Sequence, residues 1–186
     1  MTEILVLGSG FAGLYCTRAL GSALGVRPGA RITLVDARNY HLFSPLLHEV
    51  TAGTVEPRHV VWPIRKLTAP WGIRFLQRRV EGVDLAARRV HTDRGPISFD
   101  LLVVGLGGTT NTFGIPDLAE RAFAFKTLRD AVRLRNHIIR NFEAAEQEGD
   151  PRRRRQLLTF ALVGGGCTAV ELATELHDLI HRTLLR

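Results

Sequence analysis

Ile4-Leu5-Val6-Leu7-Gly8-Ser9-Gly10-Phe11-Ala12-Gly13 is the stretch that decides the fold. The apolar run reads as a buried strand, the glycines as a tight turn, and Phe11 onward as a helix. A second stretch repeats the arrangement, where Phe160-Ala161-Leu162-Val163 runs into Gly164-Gly165-Gly166-Cys167-Thr168-Ala169. Glycines at such a turn let the backbone approach a phosphate closely. The helix N-terminus then presents free N–H groups and a partial positive charge. Each turn therefore suits a dinucleotide pyrophosphate, and two of them suggest electrons passing between two dinucleotides. A glycine turn also has a purely steric reading, so the neighbouring residues must decide.

For the first turn they do. Arg31-Ile32-Thr33-Leu34-Val35-Asp36 reads as a second strand ending in a carboxylate. An acid about 20 residues after the turn is placed to accept hydrogen bonds from an adenosine ribose. Its bland reading is a turn residue closing the strand. The second turn ends in Ala169, an allowed variant, and its acidic partner would lie beyond residue 186. Glu171 is expected in the first turn of the following helix, where a carboxylate ordinarily complements the helix dipole.

The expected organisation is strand 3–8, helix 11–24 with Leu14, Ala19, Leu20 and Ala23 inward, and strand 31–36. Gly25 and Pro28-Gly29 should stop the helix. Residues 39–56 read as irregular, and His59 to Leu67 as a short helix kinked at Pro63. Arg74 to Val80, Arg89 to Thr92 and Pro96 to Phe99 suggest a small antiparallel excursion, with turns at Gly82 and Arg94-Gly95. Leu101 to Val104 then returns to the main sheet as a buried strand. From Thr127, Leu128, Ala131, Val132, Leu134, Ile138, Ile139, Phe142 and Ala145 form one helical stripe. Gly149-Asp150-Pro151 stops it, Leu157 to Val163 opens a second unit, and a helix from Thr168 is still running at Arg186.

The 186 residues suffice for one full domain and the start of a second. The formal charge is +7, densest at Arg152-Arg153-Arg154-Arg155. That run reads first as a solvated loop, and more sharply as a contact for an anionic membrane surface. Nucleic acid is not expected, because no helix-turn-helix, zinc spacing or stacking aromatics accompany the arginines. No apolar run has the length of a membrane span, and the N-terminus enters a strand with no export signal. Cys16 and Cys167 are too few for a disulfide framework, which suits a reduced, cytoplasmic setting. His41 and His48 read as loop or structural residues. No catalytic triad or metal cluster can be assembled.

With these residues in view, the chain resembles the type II NADH dehydrogenases, single-subunit NADH:quinone oxidoreductases that pump no protons. The likeness rests on the first turn with Asp36, on Tyr40-His41-Leu42-Phe43-Ser44-Pro45-Leu46-Leu47-His48-Glu49-Val50 with Gly53, and on Gly105-Leu106-Gly107-Gly108 with Asn111 and Phe113. Gly164 to Ala173, with Glu175-Leu176-His177, completes it. Three positions depart from the commoner pattern: Gly105-Leu106-Gly107 stands for Ala-Thr-Gly, Cys167 for proline or alanine, and Ala169 for the last glycine.

The resemblance implies an α/β fold, a doubly wound Rossmann-like FAD-binding core with the start of an inserted NADH-binding unit. It places FAD at Gly8, Gly10, Phe11, Ala12 and Gly13, with Asp36, Ala37 and Arg38 at the ribose end. Val80 would meet the adenine, Gly107 would pass the cofactor, and Pro45 and Leu46 would lie near the isoalloxazine. Gly164, Gly166 and Ala169 would take NADH, and Glu171 would project toward the flavin–nicotinamide contact as the one catalytic candidate. Residues 1–126 would then be FAD-binding, 127–156 a connecting helix and basic loop, and 157–186 the start of the NADH-binding part. Partners implied are NADH and a quinone at the inner face of the cell membrane, with a homodimer left open. A sulfide:quinone oxidoreductase needs redox cysteines that Cys16 and Cys167 do not convincingly supply. A non-catalytic nucleotide-binding module is the reading from another class. The chain is expected to be a fragment, binding FAD weakly and inactive alone, with part of the Thr168–Arg186 apolar face uncovered.

Overall fold

The computed structural model describes residues 1–24 and 29–184. The elements run β1 (Thr2–Leu7), α1 (Phe11–Leu24), β2 (Ala30–Asp36), β3 (Tyr40–Leu42), α2 (Leu47–Ala52), β4 (Val61–Pro63), α3 (Ile64–Thr68) and β5 (Arg74–Gln77). They continue β6 (Val80–Asp84), β7 (Arg89–Thr92), β8 (Ile97–Ser98), β9 (Leu101–Val104), α4 (Leu118–Arg121), α5 (Leu128–Glu146), α6 (Pro151–Leu157) and α7 (Cys167–Leu179). The chain divides into two units, Met1–Leu42 with Val61–Gly108, and Phe43–Val60 with Thr109–Arg186.

The first unit is built on a parallel sheet in the order β5-β2-β1-β9. A parallel sheet buries both faces, and β1 shows how. Ile4 and Val6 join Ile32, Leu34, Ile64, Ile73 and Phe75 on one side, with Leu20 and Leu24 of α1 packed over them. Leu5 and Leu7 point the other way, to Val35, Val90 and Phe99. That second face is covered by the antiparallel β6-β7-β8 meander. The small residues Gly13, Thr17 and Gly21 are the buried ones of α1. A Cβ on Gly21 would come within 2.7 Å of Trp71, so the helix approaches as closely as its side chains allow. The stripe expected through Ala19 and Ala23 is thus displaced, and both alanines are exposed.

Several expectations shift. Residues 39–56 are not irregular: β3 pairs antiparallel with β4, a 3₁₀ turn spans Ser44–Leu46, and α2 follows until Gly53 closes it at φ +82°. His59 to Leu67 is not one kinked helix. A 3₁₀ turn over Pro57–Val60 leads into β4, and Pro63 stands at the N-cap of α3. Arg74–Gln77 belongs to the main sheet, parallel beside β2, so the antiparallel excursion begins only at Val80. Gly82 sits inside β6 at a register irregularity and makes no turn. Leu101–Val104 does return to the sheet, yet Leu101 and Val104 are 56% and 63% exposed. The helix stop expected at Gly25 and Pro28 lies outside the described residues.

The second unit is helical. α5 opens on a capping box, with Thr127 Oγ1 accepting from Asp130 N and Asp130 Oδ2 from Thr127 N. Ala131, Ile138 and Ala145 are its buried positions, while Ile139 faces out. Arg152–Arg155 form no loop, since Asp150 caps and Pro151 starts a short helix that carries them, all exposed. Phe160–Val163 has no strand partner among the described residues, and Leu162 and Val163 are exposed. α7 starts at Cys167, ends at Leu179 and passes into a π turn, Ile180–Leu184. Leu185 and Arg186 lie outside the described residues. The apolar face of α7 is largely covered: Leu172 and Leu176 pack on Ile138, with Leu134, Phe142 and Phe160 around them. Val170 stays exposed.

Candidate functional site

The first glycine turn is held by the strands on either side of it. Gly8 N donates to Val35 O and Gly105 N to Leu7 O, both at 2.7 Å. Gly8 has φ +91°, and a Cβ there would collide with Gly105 O. A Cβ on Gly13 would collide with Gly8 O. These two glycines are therefore demanded by the fold itself. Gly10 is different. Its φ lies outside the left-handed region, and a Cβ there would meet nothing within 4 Å. Space left open at the mouth of a strand–turn–helix is what a pyrophosphate requires.

Asp36 ends β2 against this turn and is buried. Its Oδ2 accepts from Ser9 N at 2.7 Å and from Ser9 Oγ at 2.8 Å. Its Oδ1 accepts from Arg38 N at 2.8 Å, with Arg38 Nε at 3.7 Å. A carboxylate has about four acceptor positions, so Oδ1 keeps capacity for a hydroxyl donor. Ala37 and Arg38 are exposed beside it. The strand-closing and ligand-binding readings are thus compatible: the carboxylate braces the turn and still presents an acceptor.

His41, read as a loop or structural residue, takes a structural role with a partner far away along the chain. It lies buried on β3 with Nδ1 2.8 Å from Ser9 O and its ring edge-on to Phe11. A carbonyl only accepts, so Nδ1 carries the proton. Ser9 is therefore clasped by Asp36 through its N–H and hydroxyl, and by His41 through its carbonyl. Val80 packs on the Leu5–Leu7–Val35 cluster, two residues after Arg78 N bonds to Asp36 O. Gly107 is exposed at φ +75°. Phe11 and Ala12, like Gly13, lie in the first turn of α1.

In the second unit Gly164 adopts φ +116°, and Gly164, Gly165 and Gly166 would carry a Cβ without a contact within 4 Å. Gly166 is the N-cap of α7 and supplies no side-chain acceptor to its N–H groups. Ala169 is the third residue of α7, and its N–H bonds to Gly166 O. Room and a helix N-terminus without a side-chain cap coincide here. Glu171 is the fifth residue of α7, in the second turn and not the first. Its Oε2 lies 3.7 Å from Nδ1 of His48 on α2. Pro45 is exposed and Leu46 half-buried in the turn leading into α2. Cys16 is half-buried in α1, and Cys167 is exposed. Among the described residues no cluster suits a metal ion.

A strand-to-helix glycine turn braced by a strand-end acid, with a second glycine turn opening a helix, defines a class. The pyridine nucleotide-disulphide oxidoreductase family model matches residues 2–185, and the chain belongs to that family. Within it, the chain is similar to the external alternative NAD(P)H-ubiquinone oxidoreductase B3, mitochondrial, of Arabidopsis thaliana: 33% identity over 99% of this chain and 33% of that protein. It is also similar to a type II NADH:quinone oxidoreductase of Staphylococcus epidermidis, at 36% identity over 96% of this chain and 44% of that one. The structure of NDH2 from Plasmodium falciparum in complex with NADH superposes with a TM-score of 0.85 at 25% identity, covering 98% of this chain and 38% of that one. The chain thus spans between a third and a half of the length of the curated relatives named here.

Proposed function

We propose that these residues carry the cofactor turns of a flavin-dependent NADH:quinone oxidoreductase that pumps no protons. The supporting observation is that Gly10 and Gly166 lack side chains where neither a positive φ nor a neighbouring atom demands it. Gly8, Gly10, Phe11, Ala12 and Gly13 would hold the FAD pyrophosphate, Asp36 with Ala37 and Arg38 its ribose end, and Val80 and Gly107 its flanks. Pro45 and Leu46 would lie near the flavin ring. Gly164, Gly166 and Ala169 would receive NADH, and Glu171 would position the nicotinamide. Functionally, 1–126 would serve FAD, 127–156 connect, and 157–186 open the NADH part. Bound FAD would supply acceptance of two electrons from the nicotinamide. The protein's own task is alignment and exclusion of water.

Among the described residues no helix is long and apolar enough to cross a membrane. The quinone would be met at the inner face of the cell membrane, with α6 toward anionic lipid, and the protein would pair as a homodimer. Nothing in the placement of Cys16 and Cys167 favours sulfide oxidation. Anaerobic NADH added to the flavin-loaded protein should bleach the flavin band, and a quinone should restore it. A band untouched by NADH would leave only a nucleotide-binding module, and one bleached by sulfide instead would point to sulfide oxidation.

A further inference from the structure

We infer that His48 is the positioning residue for Glu171, an inference that rests on the proposed role of Glu171 at the nicotinamide. α2 and α7 pack together in one unit, with Leu47, Val50 and Thr51 of α2 buried. The fold thereby turns His48 toward α7, where its Nδ1 lies 3.7 Å from Glu171 Oε2. The other ring nitrogen, Nε2, lies 4.0 Å from Glu49 Oε1. The two partners differ in freedom. The His48 side chain is 16% exposed and held on a packed helix, whereas that of Glu171 is 50% exposed.

Among the described residues, no other side chain stands within hydrogen-bond or ion-pair distance of the Glu171 carboxylate. A half-exposed glutamate samples several rotamers, and a ring nitrogen held at ion-pair distance on a neighbouring helix selects among them. Within the packing of α2 on α7, His48 and Glu171 are the polar pair that faces across it. His48 supplies the fixed point and Glu171 the group that is fixed.

The test uses the complete flavin-loaded protein and four variants: Glu171→Gln, His48→Phe, the double variant, and His48→Asn, whose amide can offer a donor near the Nδ1 position. Flavin bleaching by NADH is followed anaerobically by stopped flow, and histidine ring nitrogens by NMR of labelled protein. Glu171→Gln and His48→Phe should each slow bleaching on the order of tenfold to a hundredfold, the scale for a misplaced positioning group. The double variant should be no slower than Glu171→Gln, and His48→Asn should recover most of the rate. The His48 Nδ1 resonance should move in Glu171→Gln and stay in place in Glu175→Gln. Multiplying effects in the double variant, or an unmoved Nδ1 resonance, overturns the pairing while leaving the role of Glu171 intact. Wild-type bleaching in Glu171→Gln overturns the role of Glu171 itself, and the positioning role with it. Circular dichroism identifies any variant that fails to fold, and His48→Asn then carries the comparison.

Discussion

Asp36 takes three donors from Ser9 and Arg38 around the first glycine turn. Asp36→Ala would leave Ser9 N–H without its carboxylate, and a hydrogen bond to a charged group is worth roughly 1.5–3 kcal/mol. The expected outcome is loss of flavin during dialysis, read as the ratio of flavin to protein absorbance. Undiminished occupancy would remove Asp36 from the site. The glycines of the same turn separate folding from binding. Gly13→Ala drives a methyl into Gly8 O, and such overpacking costs about 1–3 kcal/mol, lowering the urea midpoint. Gly10→Ala meets no protein atom, so the midpoint should hold while flavin retention falls. Equal effects of the two on the urea midpoint would contradict this division. Sequence made Asp36 and the glycines visible because their spacing is local. It could not show which glycine serves the fold and which the ligand, since Gly105 approaches Gly8 from a distant strand.

Elements were legible in proportion to their length and self-sufficiency. α1 and α5 are long enough to show their own periodicity, and α5 also announces its start through Thr127 and Asp130. Thr127→Ala should cost about 0.5–2 kcal/mol, as lost N-caps do, and lower the urea unfolding midpoint. An unchanged midpoint would show the capping box idle. α2 has six residues and no turn-by-turn pattern of its own, since Leu47, Val50 and Thr51 are helical by virtue of what they pack on. Phe160–Val163 shows the reverse, an apolar run of strand composition that forms no strand. A strand needs a neighbour to take its backbone hydrogen bonds, and among the described residues this one has none. Arg74–Gln77 pairs parallel with β2 for a reason its sequence does not carry: four alternating residues do not say whether their partner is parallel or antiparallel.

Charge acts at the scale of the whole molecule. The net +7 is concentrated where four arginines stand exposed on α6. Basic residues near an anionic bilayer gain about 1 kcal/mol each, an attraction that falls off within a Debye length. Replacing Arg152, Arg153, Arg154 and Arg155 by glutamine should therefore weaken cosedimentation with phosphatidylserine vesicles, and added salt should weaken the parent in the same way. Equal binding to neutral phosphatidylcholine vesicles, insensitive to salt, would dismiss α6 as a membrane contact.

What the sequence determined by itself was the succession of strand, glycine turn and helix, the acid at the end of β2, and hence the nucleotide-binding class. Each of these is written in residues near one another along the chain, where turn geometry and helix periodicity act. What only the tertiary structure decided was the company those residues keep. His41 reaches Ser9, Gly105 closes on Gly8, and His48 meets Glu171, all across separations that no local pattern encodes. Such contacts arise only once the sheet and helices have packed and brought distant segments within reach.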